Sequence, residues 1–336
     1  MPQLFGISAH RPRECSRSRG SGNHKESEGN CLFRYILKRL AQTVIVLIGI
    51  SLITFILLQV VPGDPVALML EHRADETTIA NVRHELGLDV PIPRQYFNFM
   101  KGILHFDFGT SYFTKEAVSV ALVRAFKVTV RLALCSFAFA VVFGVTCGMI
   151  AAIKHGTWID SLLMLISIGG VSAPSFWVAI LLQIFLGLKL NLAPVSGFSI
   201  LPVIALGARY AGSIARITRT SMLDVIRQDY IRTARAKGVK ERLVIWKHGL
   251  KNAMIPIVTL VGNELGNMLT GSMLIEKVFS VSGIGRLAVD SMSNRDLPLL
   301  EGTVMYIAFV FVAVNLLVDI SYALLDPRIR LGKGGD

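Results

Sequence analysis

Long apolar runs alternate with polar segments along most of this chain, and six of the runs are candidates for membrane-spanning helices. About 20 apolar residues in a helix cross the hydrocarbon core of a bilayer. Because lipid offers no partner for backbone N–H and C=O groups, each crossing is expected to be helical. The sequence therefore predicts an all-α membrane protein with six transmembrane helices. The predicted spans are about 36–61, 128–152, 161–188, 201–221, 253–275 and 302–325.

Two of the predicted spans are irregular. Pro174 lies within the third span and should kink or break that helix. The fourth span is marginal, because Arg209 lies inside it and Arg216 and Arg219 lie near its end. Hydropathy alone does not decide this crossing. A basic segment follows it, and that segment lies on the cytoplasmic side only if the chain crosses the membrane here.

The positions of Lys and Arg predict the orientation of the chain. These residues are concentrated in the N-terminal tail, the turn at 153–160, the segment 216–251 and the C-terminal tail. The segments assigned to the outside carry fewer of them, and acidic residues balance those few. Cytoplasmic loops of membrane proteins carry such an excess of basic residues. Both termini are therefore predicted to lie in the cytoplasm.

The polar segments divide the chain into a tail and a transmembrane domain. Residues 1–31 lack an apolar period and are predicted to form a disordered cytoplasmic tail, and 32–336 would form the domain. The external segment 62–127 is too long for a structureless loop, so we expect short helices packed on the outer membrane face. The cytoplasmic segment 222–251 is strongly basic. It is expected to form a short helix that stops at Gly238, a turn, and a helix that re-enters the membrane.

Composition and charge exclude several classes of protein. Charged residues make up 17% of the chain, against about a quarter in soluble domains. The net charge of +12 would suit nucleic acid, but the basic residues flank the apolar runs, so membrane lipid and not nucleic acid is the expected partner. The four cysteines form no Cys-x-x-Cys or Cys/His cluster, so neither a metal site nor a disulfide framework is predicted.

The basic cytoplasmic segment has two interpretations. Composition alone favours a surface helix that sets the topology or contacts anionic lipid. The alternative is a rigid lever driven by a separate motor protein. The lever is favoured by residues 230–238 (YIRTARAKG) and 248–256 (HGLKNAMIP), which resemble the coupling-loop signature of binding-protein-dependent ABC importer permeases. The match is to the dipeptide, oligopeptide, glutathione and nickel branch of that family.

The resemblance extends over nearly the whole chain from about residue 32. The general importer motif opens with Glu-Ala-Ala, whereas this chain has Arg232, Thr233 and Ala234. Members of the peptide branch share that change. Further matching stretches are 39–65 in the first span, 86–91 and 107–111 in the external segment, 276–286 after the fifth span, and 319–330 at the C-terminal end.

The resemblance implies a type I ABC importer permease in the bacterial inner (plasma) membrane. A second homologous permease subunit, two ATPase subunits and an extracytoplasmic solute-binding protein would be its partners. ATP and Mg would be bound by the ATPases, so this chain would hold no cofactor and would not be an enzyme. Di- and oligopeptides or glutathione are the implied solutes, with nickel as the alternative. The implied ATPase-coupling residues are Asp229, Tyr230, Arg232, Thr233, Ala234, Arg235, Ala236, Lys237 and Gly238.

Polar residues inside the predicted spans are candidates for the translocation pathway, because polar groups in a membrane usually face a cavity or a neighbouring helix. Interhelical hydrogen bonding that holds the bundle together is the alternative role. Arg209 would either pair with Glu264 or bind a peptide carboxylate. The candidates are Arg209, Asn263, Glu264, Asn267 and Asn315.

Other patterns carry less weight. Gly144 with Gly148, and Gly262 with Gly266, have the spacing that lets two membrane helices approach closely. The histidines in the external segment show no ligand spacing, so solvated surface residues are favoured over a nickel site.

No pattern of an intramembrane enzyme is present, such as paired Asp or His-Glu-x-x-His, and the chain has no ATP-binding Gly-x-x-x-x-Gly-Lys-Ser/Thr motif. A passive channel is a further alternative, but it would need no basic lever.

Overall fold

The computed structural model describes residues 40–56, 66, 75–85 and 89–325. Over these ranges the chain is built from helices, and the only β-type contact among them is an isolated bridge between Thr110 and Ala117. The predicted all-α membrane fold is therefore confirmed. The predicted tail 1–31 and the residues from 326 onward lie outside the described ranges.

The helices of the described ranges are numbered here in chain order. They are α1 Leu40–Ile56, α2 Glu76–Glu85, α3 Ile92–Leu104, α4 Val118–Ile153, α5 Trp158–Ser172, α6 Ser175–Leu182, α7 Ile200–Ile226, α8 Asp229–Ala236, α9 Lys251–Gly271, α10 Met273–Val278, α11 Ile284–Asn294 and α12 Leu297–Leu325. Two wider i→i+5 helical segments, Gln183–Lys189 and Val244–Leu250, follow α6 and precede α9. Such segments are rare and are often found at functional sites.

Several described helices are suited to a membrane. α4, α7 and α12 are each long and apolar enough to cross one, and α5 with α6 reaches that length as a bent pair. α1 is apolar and shorter within the described residues. α9 covers most of the predicted fifth span as a helix. The count of six crossings stays a prediction.

Helix boundaries differ from the predicted spans at several places. α4 begins at Val118, well before residue 128, so the end of the predicted external segment belongs to this helix. Arg124 and Lys127 favour a loop in a hydropathy profile, but a helix can continue beyond the membrane, where water solvates its charges. α12 likewise begins at Leu297, ahead of residue 302.

The third predicted span is broken at Pro174, as expected. α5 and α6 are bent by 110° on either side of it. Proline fixes φ and disfavours the helical conformation of the residue before it, so α5 ends there. Beyond α6, Gln183 Nε2 donates to the carbonyl oxygens of Val195, at 2.6 Å, and Val278, at 3.1 Å. These bonds hold the second half of the broken helix against the following loop and the end of α10.

The helices α4 and α7 cross at close range. A Cβ added at Gly144 would lie 2.7 Å from the Cβ of Ile214, and one at Gly148 would collide with the carbonyl oxygen of Ala215. The first predicted glycine pair therefore marks a close interface. At Gly266 of the second pair, an added Cβ would lie 3.4 Å from its nearest neighbour, which is a normal van der Waals contact. Buried core residues around this crossing include Leu132, Ala140 and Met149 of α4, Leu206, Ile214 and Met222 of α7, and Ile257 and Met268 of α9.

A fully buried carboxylate joins α4, α10 and α11. Glu276 Oε1 accepts hydrogen bonds from Thr129 Oγ1 at 2.8 Å and Ser272 Oγ at 2.9 Å. Its Oε2 accepts from the backbone N–H groups of Gly285, at 2.8 Å, and Arg286, at 3.1 Å. The carboxylate therefore satisfies N–H groups in the first turn of α11, which an α-helix leaves without partners.

A second buried carboxylate joins the loop before α4 to α12. Asp296 is 1% exposed, and its Oδ1 accepts from the backbone N–H of Tyr112 at 3.2 Å. The hydroxyl of Ser111 donates to its other oxygen. Asp296 and Glu276 therefore fix the segments next to α10, α11 and the start of α12 to α4 and the loop before it.

The helix α3 packs against α1. The ring of Phe55 lies 5.3 Å from that of Tyr96 and 6.2 Å from that of Phe99. Ser51 Oγ and the Tyr96 hydroxyl are 2.9 Å apart and hydrogen-bonded. A short helix is therefore present in the segment 62–127 and packs against α1, and the placement of this segment outside the membrane stays a prediction.

Candidate functional site

The predicted coupling stretch forms α8, a short helix between α7 and the turn that leads into α9. Ile231 is 1% exposed, and the other residues of the helix are exposed or half-buried. Asp229 lies in its first turn and Arg235 in its last, so both charges complement the helix dipole. α8 is thus anchored to the body by one apolar side chain and presents most of its surface outward.

Gly238 ends this helix in the left-handed conformation, with φ +73°. Its N–H donates to the carbonyl of Arg235 at 2.9 Å, and that of Val239 donates to Ala234 at 3.3 Å. These are the bonds of a glycine helix stop, as the sequence predicts. No atom of the described chain lies within 4 Å of a Cβ added at Gly238. The space beside the glycine is therefore open to a partner.

Two side-chain bridges hold α8 to the segment that follows it. Asn252 Nδ2 donates to the Tyr230 hydroxyl at 2.9 Å. Arg235 donates through Nε and Nη2 to Glu241, at 3.1 and 2.7 Å. The hydrogen bonds from Arg235 hold the pKa of Glu241 below its usual range. These bridges connect α8 to the start of α9.

The other predicted coupling residues face outward. Arg232 lies 3.6 Å from Asp229 in an exposed pair, which contributes little stability. Thr233 Oγ1 donates to the Asp229 carbonyl at 2.9 Å. Within the part of the chain that the structure describes, Lys237 makes no ion pair, and Ala236 is exposed. α8 therefore offers basic side chains to a second molecule.

An ion-pair cluster fixes the helix that carries α8. Arg219 donates from Nε to Asp160 Oδ1 at 2.6 Å and from Nη2 to Oδ2 at 2.7 Å. The Asp160 side chain is 6% exposed, and it also accepts from the Gly156 N–H at 3.1 Å. His155 Nδ1 lies 3.2 Å from the same carboxylate. The 153–157 turn is thereby joined to the last turns of α7.

The wider helical segment Val244–Leu250 returns the chain beneath α7. Val244, Ile245 and Gly249 are buried. An added Cβ at Gly249 would lie 3.4 Å from Met222 Cε, so this segment contacts the end of α7. α8 is therefore supported on both sides by packed helices, which allows a force on α8 to reach α7 and α9 together.

The predicted pathway residues lie on three helices. Arg209 is on α7, Asn263 and Glu264 are on α9 with Asn267, and Asn315 is on α12. Glu264 is half-buried and the other four are exposed on the single chain. Polar side chains on membrane helices usually face a cavity or another protein surface.

Only some of these residues are brought together. Asn267 Nδ2 donates to Glu264 Oε2 at 3.1 Å on the same helix. An added Cβ on Gly266 would lie 3.4 Å from Asn315 Oδ1, so the polar groups of α9 and α12 are neighbours. Among the described ion pairs there is none between Arg209 and Glu264, and Glu264 accepts from Asn267 on its own helix.

The sequence interpretation missed four residues of this site. Asp160 and Arg219 form the ion pair behind α8, and Asn252 and Glu241 hold α8 to the next segment. Asn252 lies within the matching stretch 248–256, so its position in that motif was a usable signal. The pairing of Asp160 with Arg219 spans 59 residues of sequence and has no local signal.

A helical membrane body with an exposed, basic cytoplasmic-type helix between two long helices is the architecture of a transporter permease. The chain belongs to the family described as binding-protein-dependent transport system inner membrane component, whose model matches residues 144–331. A model for the N-terminal part of such membrane components matches residues 32–133. The predicted resemblance to ABC importer permeases is therefore confirmed, and the protein is a multi-pass inner-membrane protein.

Curated relatives place the chain in the peptide and glutathione branch. It is 41% identical over 304 residues to a glutathione transport system permease protein of Pectobacterium atrosepticum, covering 89% of this chain and 99% of the relative. It is 39% identical over 308 residues to a putative peptide transport system permease protein of Brucella abortus, covering 88% of this chain and 98% of the relative. Similarity at this level extends over nearly the full length of both.

A solved structure has the same fold over part of the chain. It is the crystal structure of an amino acid ABC transporter with histidines, matched with a TM-score of 0.50 at 18% identity. The match covers 62% of this chain and 94% of that one. At this identity the similarity concerns the fold alone.

Proposed function

We propose that this chain is one of two permease subunits of an ATP-driven importer that carries di- and oligopeptides or glutathione across the inner membrane. The solute class rests on the relatives named for glutathione and peptide transport, which match over nearly their whole length. Alternating access would expose the pathway to one side of the membrane and then the other. Nickel is the alternative solute from the sequence, and the uptake experiment below includes it.

The coupling role is carried by the exposure of α8. Asp229–Ala236 is a helix with one buried residue, Ile231, and an outward basic surface. An isolated helix of this length is marginal in water, so its packing supports on α7 and α9 matter. A groove on an ATPase subunit would receive this surface, with acidic side chains opposite Arg232 and Lys237. Closure of the ATPases would then tilt α7 and α9.

The proposed partners are a second permease subunit, two ATPase subunits and a solute-binding protein. A second permease subunit would cover the helix faces that expose Arg209, Asn263, Asn267 and Asn315 on the single chain. These polar groups would then line the solute pathway between the two subunits. Two ATPase subunits would bind ATP and Mg, and a solute-binding protein would deliver the solute from outside. In this arrangement the chain has its six crossings with both termini in the cytoplasm.

The experiment is uptake in cells that lack this chain, with and without its restoration. Labelled dipeptide, tripeptide, glutathione and nickel are supplied in parallel. Restored uptake of a peptide or of glutathione supports the proposal, and restored uptake of nickel alone replaces the solute class. Restoration of none of them contradicts it.

The coupling role is tested by variants at Gly238. Gly238→Trp should leave membrane insertion intact and abolish uptake, because a large side chain would occupy the open docking space. Gly238→Asn keeps the left-handed conformation, since Asn tolerates it, but adds a side chain. Loss of uptake in both variants supports docking, whereas normal uptake in Gly238→Trp contradicts it.

A matched control is Gly197→Asn. Gly197 also has a positive φ, +79°, and open space beside it, but it lies in the loop between α6 and α7. Its uptake should equal that of the parent. Equal loss of uptake in the two Asn variants would assign the effect to backbone strain and not to docking.

A further inference from the structure

The helix α3 carries three side-chain stripes of different chemistry. Residues four and three apart lie on one face of a helix, so each stripe follows the i, i+4, i+7, i+11 spacing. The first stripe contains Tyr96 and Phe99, which contact Phe55 of α1. That stripe is therefore covered within the chain.

The second stripe is apolar and mostly exposed, with only Met100 half-buried. It contains Pro93, Phe97, Met100 and Leu104. Phe97 is 68% exposed and Leu104 is 76% exposed. Large apolar side chains aligned along one helix face, and left open by the chain itself, mark a surface that contacts lipid or another protein.

The third stripe is polar and basic and lies directly beside the second. It contains Arg94, Asn98, Lys101 and His105, each one residue later than a member of the apolar stripe. Arg94, Asn98, Lys101 and His105 are all exposed. A helix with adjoining apolar and basic faces has the composition of one that lies in a membrane interface.

The apolar stripe lies near a second exposed apolar surface, on α1, which is predicted to face lipid. On α1, a predicted membrane span, Ile45, Ile53 and Ile56 are 70%, 60% and 50% exposed. α3 meets α1 through Ser51 and Phe55, which lie in the second half of that helix. The exposed apolar side chains of the two helices therefore form neighbouring surfaces at the outer end of the span.

We propose that α3 lies in the outer interface of the bilayer, with Phe97 and Leu104 inserted among the lipid chains. Arg94 and Lys101 lie at the level of the lipid phosphates, which their charges complement. Their aliphatic stems cover apolar surface while the charged ends stay in the headgroup region. α3 thereby holds the external segment flat against the membrane beside the entrance of the transporter.

Spin-label accessibility tests this placement on the full chain. The four native cysteines are replaced by Ala, and a nitroxide is attached at Phe97→Cys, Leu104→Cys or Asn98→Cys. The protein is reconstituted in vesicles of phosphatidylethanolamine and phosphatidylglycerol. Ile53→Cys on α1 is the lipid-facing reference. Melting temperatures equal to that of the cysteine-free parent show that the labels leave the fold intact.

The expected result is a split between the two stripes. Labels at 97 and 104 should be relaxed more by oxygen than by a water-soluble nickel chelate, at a depth of about 5–10 Å below the phosphates. The label at 98 should show the opposite preference. Nickel preference at 97 and 104 would overturn the proposal and leave the stripe open to a protein partner. Low access of both reagents, or oxygen preference at all three positions, would also overturn it.

Discussion

Glu276 shows how a single charged residue can organise several helices. Its carboxylate is fully buried and accepts four hydrogen bonds, two from hydroxyls and two from backbone N–H groups. Gly283 has no room for a Cβ, because one would collide with this carboxylate. Buried carboxylates are tolerated where such donors satisfy them. This arrangement explains why an acid and two glycines occur together in the matching stretch 276–286.

Replacing Glu276 with Gln should destabilise the protein. The amide oxygen could still accept from the N–H groups of Gly285 and Arg286, but the hydroxyls of Thr129 and Ser272 would have to turn and accept from the new NH₂ group. Losing the charge-assisted hydrogen bonds of the carboxylate costs about 1–3 kcal/mol. The melting temperature in detergent measures the loss. The control is Asp290→Asn, which breaks half-exposed pairs with Arg286 and Lys277 that contribute about 0–1 kcal/mol. Equal melting temperatures for the two variants would contradict the assigned role.

At the residue scale the sequence identified local features and missed distant partners. The helix stop at Gly238 and the break at Pro174 follow from the chemistry of glycine and proline, and both predictions are confirmed. The bond between Thr129 and Glu276 joins residues 147 apart in sequence, and no periodicity encodes it. Of the two roles considered for Arg209, an ion pair with Glu264 is absent among the described residues, where Glu264 accepts from Asn267, and the binding of a peptide carboxylate stays a prediction.

At the element scale, glycine determines how closely α4 and α7 pack. A Cβ added at Gly148 would collide with the carbonyl oxygen of Ala215 and the Cβ of Thr218. Neither atom belongs to the flexible end of a side chain, so a rotamer change cannot relieve the collision. Apolar residues alone identify a membrane helix but not its neighbours. The Gly-x-x-x-Gly spacing identified the close contact at Gly144 and Gly148. The predicted starts of α4 and α12 were wrong because hydropathy marks the apolar part of a helix, and both helices begin before that part.

Substitution of Gly148 by Ala should push α4 and α7 apart. Overpacking of this kind costs about 1–3 kcal/mol. The control is Gly169→Ala on α5, where nothing lies within 4 Å of an added Cβ. That change should be neutral or stabilising by up to about 1 kcal/mol, since Ala favours helix more than Gly does. Thermal unfolding in detergent distinguishes the two, and a loss confined to Gly169→Ala would contradict the close crossing.

At the scale of the whole molecule, the sequence predicted the class of fold and the family, and both are confirmed. The orientation in the membrane rests on the distribution of basic residues, which acts during insertion and leaves no mark on helix geometry. The solute is likewise not predicted by any local sequence pattern. In the proposed assembly its binding surface would form only when a second subunit covers the exposed polar side chains of α7, α9 and α12.

The orientation predicts which cysteine variants a membrane-impermeant maleimide reaches. Ser196→Cys, in the exposed loop before α7, should react in intact cells. Arg242→Cys, in the exposed single-turn helix Glu241–Leu243 that follows α8, should react only after the membrane is opened. The native cysteines are removed first. Labelling of Arg242→Cys in intact cells would reverse the predicted topology.

The contact between α4 and α7 also constrains how the protein is made. α5 and α6 are synthesised between these two helices, so α4 enters the bilayer before α7 has left the ribosome. Until then Gly144 and Gly148 lack the α7 residues that contact them in the folded protein. This close contact therefore forms only after α7 has been synthesised, and a chain that stalls before residue 200 would leave the glycine surface of α4 without its partner helix.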